Sequence, residues 1–353
     1  MKIILDAMGG DHAPQAPVMG AVEAVKKYGS QITLVGRGEE ILGVLRENGI
    51  ADLPKGLEIA NADDVVDMHD DPAAVIHKRK NSSMVVGLKM LADGQGDAFI
   101  SAGSTGALLT GATLLVKRVK GLRRAAMGPA MPNKAGGKTI IVDCGANAEC
   151  TPEFLLQFGL VGSLHAKKSL GIENPRVGLL NIGTEDSKGT PLQKEAYGLL
   201  KAASEQGIIN FIGNIEGRDV LLGEVDVVVC DGFSGNVLLK SIEGTAYFMG
   251  SLMKHKIFKR KSKLFGYNPL SLIGYLFCKS DVDEVMKMMD YREIGGTQFL
   301  GIKKPVIKAH GSSDALAFRN AVRQAEEAAK ANAAEELAEE LAKLTQAKEI
   351  SND

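Results

Sequence analysis

The sequence begins MKIILDAMGGDHAP at residues 1–14, and later segments repeat the pattern of this stretch. Residues 2–5 form the short apolar run that is typical of a buried parallel strand, and the run stops at Asp6. Pro14 suits the first turn of a following helix. A strand that leads directly into a helix is the repeating unit of an α/β protein. We therefore predict an α/β fold with a mostly parallel sheet.

The turn after this strand carries groups that suit a ligand. Gly9 and Gly10 permit a tight turn whose backbone N–H groups lie close to a ligand, and Asp11 and His12 follow at once. In an open parallel sheet, ligands sit outside the carboxyl ends of the strands. These residues therefore predict a site. A turn whose Asp and His only cap and hydrogen-bond is the alternative.

Later strands end in the same way, with glycine beside acidic, amide or hydroxyl side chains. The motifs are SAGSTG after the strand at 97–101, DCGAN after 138–142, NIGTE after 176–180, GNIEG after 208–212, DGFSGN after 225–230 and AHGSSD after 305–308. Any one of them could be an ordinary turn. Together they predict one shared polar cleft.

The motif SAGSTGA at residues 101–107 has the composition of an anion-binding turn. Its small residues expose successive N–H groups at the start of a helix, where the helix dipole adds positive potential. The hydroxyls of Ser101, Ser104 and Thr105 are further donors. The alternative is a close helix-on-strand crossing that requires small residues.

Composition narrows the class of protein. The chain has 353 residues, 45% of them hydrophobic, a formal net charge of −1 and 5% aromatic residues, which favours a soluble globular protein without a nucleic-acid partner. The four cysteines lack metal-ligand spacing, so we predict a reduced, cytoplasmic protein. No secretory leader or bilayer-spanning segment is evident.

We predict a single domain over residues 1–350 with two helical additions. One is a basic-apolar arm at about 245–290, and the other is a single C-terminal helix at about 312–348, which is rich in Ala, Glu and Lys. In the arm, a cationic run at 254–263 precedes an apolar run at 264–277, as in an interfacial membrane element. A helical hairpin buried in a homodimer is the alternative. The candidate membrane or partner contacts are Lys256, Lys259, Arg260, Leu264, Phe265, Leu272 and Ile273.

A second cationic segment follows the SAGSTGA motif. Lys117, Arg118, Lys120, Arg123 and Arg124 occur with no acidic residue among them. This pattern indicates either a solvated face or a docking surface for an acidic partner.

Taken together, the motifs resemble the phosphate acyltransferase (PlsX) family. DAMGGDHAP, SAGSTGA, DCGAN, LLNIGTE, NIEGRD, VDVVVCDGFSGNVLLK, YREIGG and HGSSDALAFRNA follow its order and spacing from Met1 to about Gln324. One departure is Ser104, where the family usually has Asn. Lys188 lies in a segment that varies in the family.

The resemblance implies an activity, partners and a fold. Family members transfer a fatty acyl group from acyl carrier protein to inorganic phosphate, giving acyl phosphate for phospholipid synthesis. It implies a homodimer and peripheral contact with the membrane or with a membrane glycerol-phosphate acyltransferase. It also implies a three-layer α/β/α fold related to phosphotransacetylases and isopropylmalate dehydrogenases. We expect no cofactor and no metal.

These expectations assign roles to the strand-end residues. Phosphate is itself the nucleophile, so the protein must hold it against the thioester, stabilise the oxyanion and help the thiol leave. His12, Asp11 and His310 are the candidate catalytic residues, and Asp231 or Asp314 could also orient an imidazole. The candidate substrate contacts are Gly9, Gly10, Ser101, Gly103, Ser104, Thr105, Gly106, Asn147, Asn181, Asp231, Ser234, Asn236, Gly311, Ser312 and Ser313. Cys144 and Cys230 are expected to pack rather than to be acylated.

Two other functions remain open at this stage. An NAD- and metal-dependent hydroxy-acid dehydrogenase on a related fold would need acidic metal ligands at strand ends, where glycines and hydroxyls predominate. A non-enzymatic, membrane-associated scaffold could use the arm, but it would not need so many convergent polar strand ends.

Overall fold

Strands and helices alternate along the chain, as the strand-to-helix pattern predicts. The computed structural model describes residues 1–258 and 290–350, together with 277, 279, 280, 284, 287 and 288. The strands are β1 Lys2–Asp6, β2 Gln31–Gly36, β3 Leu57–Asn61, β4 Ala98–Ser101, β5 Ala126–Met127, β6 Ala130–Pro132, β7 Lys138–Val142, β8 Arg176–Asn181, β9 Asn210–Glu216, β10 Val227–Val229, β11 Gly296–Leu300 and β12 Val306–Ala309. The helices are α1 Gln15–Tyr28, α2 Gly38–Glu47, α3 Val75–Lys78, α4 Ser83–Ala92, α5 Thr105–Gly111, α6 Pro152–Leu170, α7 Pro191–Glu205, α8 Gly232–Phe258, α9 Tyr291–Ile294, α10 Ala315–Ala331 and α11 Ala333–Ile350. A π-helical segment, Ala112–Val116, continues α5.

The strands form two sheets, of orders β3-β2-β1-β4-β12-β11-β5 and β6-β7-β10-β8-β9. Pairing is parallel except at β11, β5 and β6, which confirms the mostly parallel α/β class but divides the strands between two sheets instead of one. The division occurs between β5 and β6, which pair with different sheets. Pro129 lies between them and has no N–H to donate to a ladder.

Each sheet is covered on both faces, because alternate residues of a strand point to opposite sides. In the first sheet, Ile3 and Leu5 pack with α1, α2 and α10, whereas Ile4 packs with α4 and α5. In the second sheet, Val142 packs with α6, α7 and α11, whereas Ile141 packs with α8. Burial of each such side chain contributes about 1.5–3 kcal/mol. The three-layer arrangement is therefore confirmed for both sheets.

Local sequence explains where several helices begin and end. The Ser82 hydroxyl accepts a hydrogen bond from Val85 N at the start of α4. Thr190 and Gln193 form a capping box at the start of α7. Gly29 ends α1 in the left-handed conformation that glycine adopts without strain.

Three sequence-based boundaries need correction. The predicted single C-terminal helix is two helices, because Asn332 adopts a left-handed conformation (φ 39°) that Asn tolerates. This break lets α11 bury Leu337 and Leu341 with α6. Strand β9 extends through Gly213 to Glu216, beyond the predicted end at 212. The motif YREIGG, whose two glycines predict a turn, forms a helical turn that leads into β11. No helix in the described part of the chain is long and apolar enough to cross a membrane.

Candidate active site

Three of the predicted loops meet at the carboxyl ends of β1, β4 and β12, which are neighbours in the first sheet. Asp11 N donates to Gly311 O at 2.8 Å and thereby joins the first loop to the last. Gly10 has φ 103°, and a Cβ there would lie 2.9 Å from Ala102 Cβ and 3.1 Å from Gly311 O. Glycine is thus required by both conformation and space. We call loops 7–14, 102–106 and 310–314 the first strand-end cluster.

A buried carboxylate–hydroxyl pair supports this cluster from below. Ser101 Oγ donates to Asp6 Oδ2 at 2.7 Å and accepts from Gly103 N at 3.1 Å. Burial raises the pKa of Asp6. Ser101 is wholly buried, so its hydroxyl orients the loop in this structure. Gly9 fits above the pair, since a Cβ there would lie 2.7 Å from Asp6 Oδ2.

The remaining residues of the SAGSTGA motif surround the start of α5. Thr105 is the first residue of the helix, and Ser104 precedes it without a side-chain capping bond. A Cβ at Gly103 would lie 2.7 Å from Met84 Cε, and one at Gly106 would lie 2.9 Å from Pro72 Cγ. Close packing therefore accounts for part of this small-residue pattern, and substrate contact of these residues stays a prediction.

His310 is held as a neutral hydrogen-bond donor at the edge of this cluster. Its Nδ1 lies 2.8 Å from Ser312 Oγ and accepts from Ser312 N at 3.3 Å, so the ring proton is on Nε2. Burial, with the nearby cations of Lys240 and Lys308, lowers the pKa of His310. The imidazole is consequently uncharged at neutral pH.

The other residues of the first and last motifs occupy different environments. Ser313 is buried, and its hydroxyl finds no hydrogen-bond partner among the described residues. Asp314 caps α10 through Ala317 N at 3.0 Å and pairs with Arg292 at 3.3 Å. Asp11 and His12 are exposed. A Cβ at Gly311 would lie 3.4 Å from Asp11 Oδ2, so this carboxylate faces the last loop.

Two lysines that the sequence did not assign to a site also lie in this cluster. Lys308 Nζ donates to Ala102 O at 3.1 Å and to Ala309 O at 2.5 Å. Lys240 of α8 pairs with Glu243 at 2.7 Å and is close enough to His310 and Lys308 to lower the pKa of both. A lysine inside the apolar strand PVIKA was the available signal for Lys308.

A second group of predicted residues lies at the ends of β7 and β10 in the other sheet. Asp143 accepts hydrogen bonds from the backbone of Met127, Ala146 and Asn147 at 2.6–3.2 Å. Asn147 Nδ2 donates to Ala125 O at 2.8 Å and to Asp143 Oδ2 at 3.0 Å. Burial raises the pKa of Asp143. We call loops 143–150 and 230–236 the second strand-end cluster.

The polar groups of this second cluster cap helix α8. Asp231 accepts from Ser234 N and from Ser234 Oγ, both at 2.8 Å, which is the geometry of an N-cap. A Cβ at Gly235 would overlap the carbonyl oxygen of Asp143, and Asn236 lies against Gly145. The structure thus brings these predicted residues together, and most of their hydrogen bonds are to other groups of the same cluster.

Asn181 lies apart from these contacts, at the end of β8. Its Oδ1 accepts from Ile182 N at 2.8 Å and its Nδ2 donates to Lys188 O at 3.2 Å. It therefore organises the loop that follows β8. The predicted single cleft consists of two clusters connected by α8, which begins at the second cluster and brings Lys240 to the first.

The buried cysteines are unsuited to nucleophilic chemistry. Burial raises the pKa of the Cys144 and Cys230 thiols well above the ordinary range. Cys144 Sγ donates to Gly235 O at 3.6 Å and Cys230 Sγ to Asp143 O at 3.4 Å. Both thiols pack within the second cluster.

The structure describes the whole of the basic segment but only part of the predicted arm. Lys256 belongs to the last turn of α8, and Lys259, Arg260, Leu264, Phe265, Leu272 and Ile273 lie outside the described residues. In the segment at 117–124, Lys117, Lys120, Arg123 and Arg124 are exposed. No salt bridge to these four cations occurs within the described part of the chain. Arg124 lies over the ring of Phe154, 5.7 Å from its centroid.

Sequence comparison shows extensive similarity to one family. The family model described as "Fatty acid synthesis protein" matches residues 1–336. A phosphate acyltransferase from Alkaliphilus oremlandii is 47% identical over 328 residues, which is 92% of each chain. A phosphate acyltransferase from Thermoanaerobacterium thermosaccharolyticum is 44% identical over 325 residues, again 92% of each chain.

Structural comparison supports the fold. A phosphotransacetylase from Streptococcus pyogenes superposes with a TM-score of 0.59 and 18% identity, covering 94% of each chain. A branched-chain phosphotransacylase from Enterococcus faecalis gives a TM-score of 0.57 and 14% identity, covering 93% of this chain and 99% of the other. The predicted likeness to phosphotransacetylases is confirmed at the level of fold.

Proposed function

The chain belongs to the phosphate acyltransferase family, and on that premise we propose that it transfers a fatty acyl group from acyl carrier protein by direct attack of phosphate on the thioester. The family membership makes it an acyltransferase that uses phosphate and an acyl donor in lipid synthesis. The identity of the donor, the direct attack and the residue roles are the proposal.

The observation that carries the proposal is the first strand-end cluster. It gathers backbone N–H groups, the Lys308 ammonium and the neutral donor His310 around the ends of three adjacent strands. Preorganised donors of this kind suit both a bound phosphate and a developing oxyanion. The buried thiols of Cys144 and Cys230 favour attack by phosphate itself over a cysteine-bound intermediate.

The proposed reaction has two bond changes and one net proton transfer. A phosphate oxygen attacks the carbonyl carbon, and the negative charge that develops on the carbonyl oxygen is stabilised by N–H donors of the first cluster. The carbon–sulfur bond then breaks, and the neutral imidazole of His310 donates a hydrogen bond from Nε2–H to the developing thiolate. The hydroxyl of the attacking hydrogen phosphate gives its proton to the thiolate, so the products are acyl phosphate and free thiol.

The other predicted site residues take supporting roles in this proposal. Ser104, Thr105 and Ser312 supply hydroxyl donors, and Asp11 orients the last loop. His12, which is exposed beside them, assists phosphate binding. The residues of the second cluster shape α8, which brings Lys240 to the site.

Charge supports the choice of donor. The exposed cations at 117–124 suit an acidic carrier protein, because opposite charges speed encounter and orient the partner. This segment is tied to the second cluster through Ala125 O and Asn147. The thioester would then reach the cleft at the end of its flexible prosthetic group.

Membrane contact and homodimer formation are proposed through α8 and the arm at about 245–290, which begins within this helix. Tyr247 and Phe248 are 80% and 61% exposed in this chain, and Leu252 lies on the same helix. Exposed aromatic residues beside a cationic run suit an interface with a second subunit or with lipid headgroups. We propose a cytoplasmic protein that contacts the membrane peripherally.

The test is release of free carrier thiol from palmitoyl-acyl carrier protein, with and without inorganic phosphate, in metal-free buffer. The proposal expects release that requires phosphate, together with a hydroxylamine-sensitive acyl phosphate. Palmitoyl-coenzyme A serves as the comparison donor, because it carries the same thioester without the acidic protein. Equal turnover with both donors would contradict the docking proposal, and phosphate-independent release would contradict direct attack.

A further inference from the structure

Lys308 occupies a position where a lysine is unfavourable unless its charge has partners. It lies on β12 between two other strands, opposite Ser101 of β4 and Thr297 of β11. Its neighbours Ile307 and Ala309 are fully buried. A buried ammonium without acceptors would be strongly destabilising. The hydrogen bonds of the Lys308 ammonium therefore indicate how its position in the strand is stabilised.

The Lys308 ammonium joins the ends of two strands. Its acceptors, Ala102 O and Ala309 O, belong to the first residue after β4 and to the last residue of β12. Ala102 also borders the space that a Cβ at Gly10 would fill. The two hydrogen bonds of Lys308, which we call the Lys308 clamp, therefore lie next to the contact of the three loops. An ammonium has three N–H groups. These carbonyls take two of them, and a third can serve a ligand above.

The charged groups around Lys308 oppose one another, so a bound anion would stabilise the charged form of its amine. Asp6 of β1 and Asp11 of the following loop favour its charged form, whereas burial and Lys240 of α8 oppose it and lower its pKa to about 8. His310, on the loop after β12, has a lowered pKa for the same reasons. A phosphate dianion in the cluster would favour the charged form of Lys308.

We propose that Lys308 is a positioning residue for phosphate: it ties the ends of β4 and β12 together and places a positive charge beneath the bound anion. The inference rests on the proposed transfer to phosphate and adds a residue that holds this substrate. It predicts that Lys308 affects phosphate binding and leaves binding of the acyl donor unchanged.

Lys304 provides a matched control. Its ammonium also donates to two carbonyl oxygens, Leu91 O at 2.9 Å and Gly96 O at 3.2 Å. It lies before β12, at the opposite end of that strand from the cluster. Loss of either ammonium removes a two-carbonyl clamp, but only Lys308 is next to the predicted phosphate site.

The experiment compares Lys308→Met, Lys308→Arg and Lys304→Met in the full chain, with phosphate and acyl donor varied separately. We expect Lys308→Met to raise KM for phosphate by about tenfold to a hundredfold, as for loss of a charged hydrogen bond, with KM for the donor within about twofold. Lys308→Arg restores part of the loss. Lys304→Met changes thermal stability without changing KM for phosphate. Equal kinetic constants in Lys308→Met and Lys304→Met would overturn the proposal.

The pH dependence gives a readout that a structural role would not move. Lys308 is charged below its pKa and neutral above it, so KM for phosphate of the wild type rises as pH passes through about 8. Lys308→Arg stays charged and lacks this rise, whereas titration of phosphate itself affects both proteins alike. Identical profiles in the two proteins would overturn the proposal, even if Lys308→Met does not fold.

Calorimetric titration of inorganic phosphate without acyl donor separates this inference from the proposed function. We expect weaker phosphate binding to Lys308→Met than to wild type and Lys304→Met. Wild-type protein that binds phosphate through Lys308 but forms no acyl phosphate would contradict the transferase mechanism alone. Equal phosphate binding in all variants, or none in wild type, would overturn the role of Lys308.

Discussion

The two strand-end clusters contain similar residues but satisfy them differently. In the second cluster, Asp143 accepts hydrogen bonds from three backbone N–H groups and Asp231 caps α8, so intramolecular hydrogen bonds satisfy these carboxylates. In the first cluster, Asp11 and His12 are exposed. Glycine beside polar residues at a strand end therefore does not by itself identify a ligand site. What distinguishes the clusters is that the second satisfies its polar side chains internally, whereas the first exposes two of them.

Substitution of Gly235 should have the largest effect, because it breaks the second cluster at its tightest contact. A Cβ there overlaps Asp143 O and lies 2.8 Å from Cys230 Sγ, so Gly235→Ala should lower the free energy of unfolding by about 3 kcal/mol or more. Denaturant unfolding measures this change. Gly244→Ala in the same helix has no neighbour within 4 Å and should stabilise by about 0.5–1 kcal/mol. Similar stability of the two variants would show that the cluster tolerates expansion.

Substitution of His310 should affect the first cluster through activity instead. His310→Phe removes the proposed hydrogen-bond donor to the leaving group, and we expect kcat to fall by about 10²–10³-fold with little change in melting temperature. Thiol release at saturating phosphate measures kcat. His12→Gln is the comparison, with a smaller loss expected mainly in KM for phosphate. Near-normal kcat in His310→Phe would exclude this imidazole as a donor to the leaving group.

Removal of the Asp231 carboxylate tests whether the second cluster also binds substrate. As a helix cap, Asp231→Ala should cost about 1 kcal/mol of stability with kcat and both KM values within about threefold. Asp231→Asn retains a capping oxygen and should stay near wild-type stability. A tenfold change of KM in both variants would instead assign the carboxylate to the substrate.

The smallest expected effect is the pH dependence of stability due to His310. Burial lowers the pKa of His310 in the folded protein below its ordinary value of 6.5, so the unfolded chain takes up a proton first. The stability that this histidine confers is complete above about pH 6.5 and is lost as pH falls through the lowered pKa. The difference in melting temperature between wild type and His310→Gln should therefore decrease from pH 7 to 5. A difference that is constant with pH would place the imidazole in open solvent.

Predictions from local sequence succeeded where neighbours along the chain decide the outcome. Strand β7 has the predicted bounds, 138–142, and β8 begins at the predicted residue 176, because apolar runs and flanking Gly or Pro are local signals. The break at Asn332 was missed because both sides of it have helical composition. The separation of the sheets at β5 and β6 was missed because strands of two or three residues carry little periodicity.

Local sequence was enough to establish the α/β class, the polar strand-end loops and, through its motifs, the family. Which of these loops meet depends on the three-dimensional fold, since β1, β4 and β12 are adjacent through crossover connections that local periodicity does not encode. The fold also decided that Ser101 is buried against Asp6, that Asp231 caps α8 and that Lys308 clamps Ala102 to Ala309. The role of a polar residue depends on which hydrogen-bond partners surround it, and residues distant in the chain supply many of those partners.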